Sequence, residues 1–288
     1  MNLSLANKPT PFKIDRNLEI PSVPIVLTRI LQLVDDNRAS AHQLEELILH
    51  DPSLSARILK LANSALYSFQ SEVKTISHAI ALLGLNLVKS LTIGVSIFES
   101  FTKGLRDEIG CINQLWMHSF AVGQLAQDIW TKRSNRNEGE FALLCGLLHD
   151  LGKVAFFKKD AIGYAKLFAA EKGEADPDIS TLENGQYGMD HAALGSMIAK
   201  HWGLPSQIGT VLRQHHSVLA DNPLVASVSM ADQLVKQAGI GYDGDRKMML
   251  EMEALQTLLK MDQTEFDMFC RLAATKRADV EEFFQYTL

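Results

Sequence analysis

The chain has 288 residues, 47% of them hydrophobic and 22% charged, a balance that fits a globular protein with one large domain or two ordinary ones. A formal net charge of -6 and a pI near 5.8 exclude a protein that grips nucleic acid through its bulk field, so an acidic phosphate would have to meet a local site. No apolar run reaches membrane-spanning length, the N-terminus carries no secretory pattern, and Cys111, Cys145 and Cys270 are odd in number and widely spaced; the expectation is a cytoplasmic chain with reduced thiols and neither a membrane nor a nucleic-acid partner.

Residues 1–19 lack periodicity and read as an arm. From Ile20 the stretch IPSVP leads into a helix with Leu27, Ile30, Leu31 and Val34 on one stripe. Ser40 and Gln43 have the form of a capping box for a helix with Leu44, Leu47 and Ile48. Asp51 and Pro52 then pair an N-cap with a proline at the first helical position, ahead of Leu54, Ile58, Leu61 and Ala62. A polar loop over 67–74 precedes a short helix from Thr75 or Ser77 to Gly84, and another helix spans Leu87 to Phe98. Two helices about a glycine turn admit a helix-turn-helix reading. The second presents only Asn86, Lys89, Ser90 and Thr92, with no basic stripe, so packing is the better account. The charged segment Thr102 to Gly110 is a candidate boundary, dividing the chain into an arm (1–19), an N-terminal helical subdomain (20–105) and a second helical subdomain (106–288).

Ile112 to Trp130 is strongly helical, with Leu115, His118, Val122, Leu125 and Ile129 on one stripe, so His118 takes a core-facing slot. KRSNRNEGE (132–140) reads as a solvated loop. It leads into FALLCGLLHDLGK (141–153), a buried helix that ends in adjacent His149 and Asp150, with Gly152 as its stop. An imidazole and a carboxylate at a buried helix end need partners. A metal ion satisfies both; the alternative is a helix-terminal histidine and an aspartate that caps the next turn. Helix resumes through residue 170. Leu182 to Trp202 reads as helical with His191 and Gly195 on one face, Gly195 admitting a close backbone neighbour, while His201 is rotated to the surface. The next helix carries Val211, Leu212, His215 and His216, and Pro223 opens one with Val225, Val228, Ala231 and Asp232. A turn, GIGYDGD, and two or three amphipathic helices complete the chain. With no strand pattern, the fold class is all-α.

His118, His149 with Asp150, His191, His215 with His216, and Asp232 are polar insertions into apolar helical faces. Imidazoles with carboxylates suit divalent Fe, Mn or Zn rather than the all-oxygen shells of Ca or Mg. Helix neighbours point about 100° apart, so His215 and His216 are not expected on one ion unless the backbone is distorted; one stands behind the other, or two ions are held. Lys153, one turn after His149, offers a compact positive charge to a phosphate. No GxxxxGK, GxSxG, CxxC or HExxH motif competes.

At these residues the second half resembles the HD superfamily of metal-dependent phosphohydrolases, through His118, His149 with Asp150, and Asp232. The whole is similar to the HDOD domain of bacterial signalling proteins, through IPSVP (20–24), HDPSLSARILKLANSALY (50–67), ISHAIALLGLNLVKSLTIG (76–94), LW (115–116), GLLHDLGK (146–153), HAALGSMIAKHWGLP (191–205) and QHH (214–216). The resemblance implies an N-terminal helical bundle packed on a C-terminal HD-like bundle. It also implies a regulatory module with a signalling protein partner. Many HDOD domains lack parts of the HD metal site, whereas this sequence keeps HisAsp and Asp232. His191, His215 and His216 match extra ligand positions of the HD-GYP phosphodiesterases, although the GYP element is absent. The alternative implied function is a phosphohydrolase acting on a nucleotide or other phosphoester, with Asp150 orienting the nucleophile and Lys153 steadying the phosphate.

Overall fold

The structure, a computed structural model, describes residues 23, 25–35, 41–64, 67, 69, 71–102, 109–134, 136–170, 177–217, 221–244 and 251–287. The described residues form fifteen helices and no strand. In chain order these are α1 (Ile25–Asp35), α2 (Ala41–Leu49), α3 (Pro52–Ala62), α4 (Ile76–Leu83), α5 (Leu85–Thr102), α6 (Ile109–Thr131), α7 (Arg136–Leu148) and α8 (Leu151–Lys159). There follow α9 (Ala161–Ala169), α10 (Ile179–Tyr187), α11 (His191–His201), α12 (Ser206–Gln214), α13 (Pro223–Ala238), α14 (Met252–Leu258) and α15 (Gln263–Thr287). The all-α expectation holds. The capping box at Ser40 and the boundary over 103–108 lie outside the described residues.

Local chemistry sets the N-terminal bundle, α1 to α5. Asp51 accepts from the backbone N–H groups of Ser53 and Leu54, and Pro52 opens α3 without wasting a donor. Thr75 caps α4 through His78 N, and Gly84, at φ 97°, lets the chain swing by 120° into α5. Two of the four polar residues of α5 named above point inward: Ser90 and Thr92 are buried, and Ser90 donates to the carbonyl of Glu140 on α7, while Asn86 is exposed and Lys89 half-buried. This helix pair therefore packs through its second helix. No single described helix is long and apolar enough to cross a membrane; α4 and α5 pass that test only as a sharply bent pair.

The N-terminal bundle packs through α5 on α7 and α8 of the second bundle. There α6 is the axis, with Leu115, His118, Val122, Leu125 and Ile129 all buried against α7, α13 and α15. Glycines bring α6 and α7 into backbone contact. A Cβ on Gly146 would lie 2.6 Å from Gly123 Cα, and one on Gly123 would lie 2.8 Å from the Leu143 carbonyl. One apolar core runs from Leu27 to Phe284.

Several sequence expectations need correction. The segment 132–140 is not all loop: α7 begins at Arg136, and Gly139 and Glu140 are buried because the glycine lets α7 start hard against Thr131 of α6. Gly152 is not a helix stop. The chain turns at His149 and Asp150, and Gly152 lies inside α8, where a Cβ would lie 2.8 Å from His191 Cα and collide with the His191 carbonyl. Residues 154–170 break at Asp160, which caps α9 through Gly163 N. Residues 182–202 break at Gly188, in the left-handed region at φ 78°, before Asp190 caps α11 through Ala193 N.

Candidate metal centre

Five elements converge on one buried point. His118 comes from the middle of α6, His149 and Asp150 from the α7–α8 turn, His191 from the first turn of α11, His215 and His216 from the end of α12, and Asp232 from α13. His118, His149, Asp150, His191, His215 and Asp232 are at most 1% exposed, and His216 is half-buried. Asp150 occupies the N-cap position of α8 but makes no capping hydrogen bond. Its carboxylate is turned to the histidines, with Oδ2 3.3 Å from His149 Nε2 and Oδ1 3.4 and 3.6 Å from Nε2 of His191 and His215. Asp232 Oδ1 lies 3.0 Å from His118 Nε2 and 3.9 Å from His149 Nε2.

Outer partners fix which nitrogen faces inward. His149 Nδ1 donates to the Gly146 carbonyl at 2.6 Å, His215 Nδ1 to the Leu212 carbonyl at 2.9 Å, and His191 Nδ1 to Glu183 Oε2 at 2.6 Å. Since those acceptors offer no proton, each neutral ring presents the lone pair of Nε2 to the centre. Glu183, itself buried, also accepts from His191 N at 2.7 Å and from Tyr164 Oη at 2.6 Å.

A metal fits this arrangement on the evidence of what is left unbonded. His149 Nε2, His215 Nε2, Asp150 Oδ1 and His216 Nδ1 are buried without a hydrogen-bond partner. Four such orphans in one neighbourhood are expensive unless a cation takes their lone pairs. Asp150, His191, His215 and His216 offer ligand atoms within 4.8 Å of one another, and so do His118, His149 and Asp232, and His118, Asp150 and Asp243. The expectation that His215 and His216 diverge does not survive: α12 ends at Gln214, and beyond it the two rings sit with centroids 3.9 Å apart.

Electrostatics favours the ligating states of both aspartates and of His215 and His216, and opposes that of His149. Burial opposes charge on Asp150, but His149 and Lys153 outweigh it and hold its carboxyl well below the usual range; Lys236 and His118 do the same for Asp232. Burial lowers His215 to about 4 and drives His216 well down, so both rings stay neutral. At His149 burial favours the neutral form, but Asp150 and Asp232 reverse it and raise the value. The cavity that reaches Asp150, between α5, α6, α7 and α8, holds about 20 Å³ and is lined by Phe98, Trp116, Ser119 and Leu147 among others. That is room for water and far below the hundreds of Å³ of a small-molecule site.

Residues 20–218 match the HDOD domain family. The chain belongs to that family. Another protein that this HDOD chain resembles is an uncharacterized protein of Treponema pallidum, 26% identical over 226 residues, which are 77% of this chain and 43% of the relative. The chain thus spans less than half of that curated relative. Among solved structures it resembles an HDOD domain protein of unknown function from Geobacter sulfurreducens (24% identity, TM-score 0.74, 94% of each chain covered). It also resembles a candidate phosphohydrolase from Shewanella amazonensis (24% identity, TM-score 0.69, 93% of this chain and 95% of the other). At these identities the likeness is one of fold.

The seven residues singled out from the sequence of this HDOD chain meet at the centre. Lys153 meets them differently from the expectation of a phosphate-facing ammonium: it is fully buried, its Nζ bonded to Asp150 Oδ2 at 2.8 Å and Asp243 Oδ2 at 2.9 Å. Sequence reasoning missed Glu183, Lys236 and Asp243. An available signal for Lys236 was its place one turn after Asp232 on an apolar helix. Asp243 sat in a glycine-rich turn that resembles any surface loop.

Proposed function

We propose that this HDOD chain is a regulatory module of bacterial signalling whose HD-type cleft holds one or two divalent ions of Fe, Mn or Zn and which acts through a signalling protein partner. The observation that carries this reading is the set of orphaned ligand atoms, three of them on imidazoles. The cavity on the α5 side of Asp150, with Phe98 and Trp116 stacked at 4.4 Å on its wall, has room for water and not for a phosphoester, which supports regulation over turnover from that side. Metal analysis of protein purified without added ions, then reconstituted with Mn, Fe or Zn, tests it. The expected result is at least one ion per chain; a trace below stoichiometry with no uptake rejects it.

The completeness of the ligand groups, two of them joined where His149 Nε2 meets Asp150, supports a second reading, hydrolysis of a nucleotide or other phosphoester. A bound divalent ion supplies a lowered pKa for water and polarisation of a phosphoryl oxygen. In this reading Asp150 orients the nucleophile, and Lys153 serves by holding Asp150. Substrate entry from the α5 side requires that wall to open. A screen of phosphomonoesters and diesters with each metal, on the parent, Phe98→Ala and Asp150→Ala, separates the readings. Turnover in the parent or in Phe98→Ala that Asp150→Ala abolishes supports hydrolysis; rates equal to those of Asp150→Ala remove it.

A further inference from the structure

Behind the ligands runs a buried ladder of charge. Lys153 Nζ bonds Asp150 Oδ2 at 2.8 Å and Asp243 Oδ2 at 2.9 Å, and Lys236 Nζ bonds the same Asp243 oxygen at 3.0 Å and Asp232 Oδ2 at 3.0 Å. None of the five side chains is more than 3% exposed. Each metal-facing aspartate is thereby split in function. Its Oδ2 is held by a lysine, while Oδ1 faces imidazoles alone: His191 and His215 for Asp150, His118 and His149 for Asp232; Asp150 Oδ2 also meets His149 at 3.3 Å.

The chain goes to some length to deliver Asp243. Gly241, at φ 62°, lets the turn press onto α6, where a Cβ would lie 2.5 Å from both Gln114 O and His118 N, and Tyr242 N bonds Gln114 O at 3.1 Å. Gly244, at φ 96°, sits against Phe168 and Ile179, with no room for a Cβ. A buried ionic network of this size is poor value as a stabiliser, since apolar side chains of like volume do as well or better. Its position is the telling feature, because it touches both ligand carboxylates and no surface.

We propose that Lys236 and Asp243 are positioning residues that set the charge of the metal centre, Lys236 weakening and Asp243 strengthening its hold on a divalent cation. This rests on the metal-centre reading above. Counting each histidine as a neutral ligand, Asp150, Glu183, Asp232 and Asp243 stand against Lys153 and Lys236, a formal charge of -2 around the ligands. One divalent ion neutralises it. Loss of the Lys236 charge makes the centre more anionic and tightens the ion; loss of the Asp243 charge leaves two ammoniums poorly compensated and loosens it.

The test measures Mn²⁺ affinity by calorimetry, together with melting in chelator and in Mn²⁺, for the parent, Lys236→Gln, Lys236→Arg and Asp243→Asn. Glutamine keeps an N–H donor toward Asp232, arginine keeps the charge, and asparagine keeps the shape of Asp243. The expected result is at least tenfold tighter binding and a larger metal-induced rise in Tm for Lys236→Gln, at least tenfold weaker binding and a smaller rise for Asp243→Asn, and Lys236→Arg within threefold of the parent. Opposite signs are the signature, since loss of a merely structural contact shifts both variants the same way. Affinities of both variants within threefold of the parent, or shifted in one direction, overturn the proposal while leaving the metal centre standing. A parent that binds no ion overturns the metal-centre reading and this one with it. Should Asp243→Asn fail to fold, tighter binding by Lys236→Gln than by Lys236→Arg still gives the sign; should Lys236→Gln fail, Lys236→Met takes its place.

Discussion

Glu183→Gln probes how the second ligand group is held. The Glu183 carboxylate takes three hydrogen bonds, from His191 N at 2.7 Å, His191 Nδ1 at 2.6 Å and Tyr164 Oη at 2.6 Å. Glutamine has nearly the same shape. Its carbonyl oxygen can receive both His191 donors, and its amide can donate to a reoriented Tyr164 hydroxyl, so the bonds persist while the charge is lost. A charged acceptor makes a hydrogen bond roughly twice as strong as a neutral one. It also raises the basicity of the Nε2 lone pair that faces the centre, and loss of such a partner costs about ten- to a hundredfold in metal affinity, or ~1.4 to ~2.8 kcal/mol. Glu183→Ala strands all three donors in the interior at ~1 to 3 kcal/mol each and should cost the fold itself. Competition against a chromogenic chelator reads the affinity, and urea unfolding of the metal-free protein reads the stability. Tyr164→Phe removes only the third bond and should cost less than threefold in affinity. If Glu183→Gln stays within twofold of the parent, or Tyr164→Phe matches it, the carboxylate does not act through His191 and the reasoning fails.

Gly152→Ala should drive a methyl into the backbone of His191, lowering metal affinity as well as stability, with an overpacking cost of ~1 to 3 kcal/mol or more measured by urea unfolding. Gly146→Ala strikes the Gly123 Cα at 2.6 Å and should destabilise the α6–α7 crossing by a similar ~1 to 3 kcal/mol, which thermal melting with and without metal would record. Asn63→Ala works far from the centre: its side chain donates to Leu59 O at 2.9 Å and Val73 O at 2.8 Å and accepts from Val73 N at 2.7 Å. A loss of ~2 kcal/mol with unchanged metal content is expected, and altered metal stoichiometry would show that the bundles are coupled more tightly than these bonds indicate.

Much of the fold is legible where local chemistry is decisive. Asp51 with Pro52 and Thr75 with Gly84 mark helix ends that the structure reproduces, because a cap, a missing N–H and a positive φ act over a few residues. The stripe on α6 is as clear, and it placed His118 inside. Composition misled where tertiary contact overrides it. KRSNRNEGE looks solvated, yet Gly139 lets α7 begin against α6; Gly152 looks like a terminator and is instead a contact surface. His215 and His216 were set apart by helix geometry that stops applying once α12 ends at Gln214. Glu183 gains its meaning from His191 8 residues away and Asp243 from Lys153 90 residues away, separations that no local pattern encodes, whereas Lys236 lies one turn from Asp232.

The contact between Gly152 and His191 also supplies a criterion readable in letters. The carbonyl of His191 occupies the place where any side chain at 152 would begin, and Gly195 on the facing helix would put a Cβ 3.2 Å from Gly152 N. A relative with a bulkier residue at 152 cannot bring its α8 and α11 so close, nor hold a histidine 3.4 Å from the aspartate that follows His149, while one at 195 asks only for a shift of a few tenths of an ångström. A glycine that touches no ion therefore reports whether the histidine of α11 can reach its aspartate, and it sorts complete centres from broken ones before any protein is made.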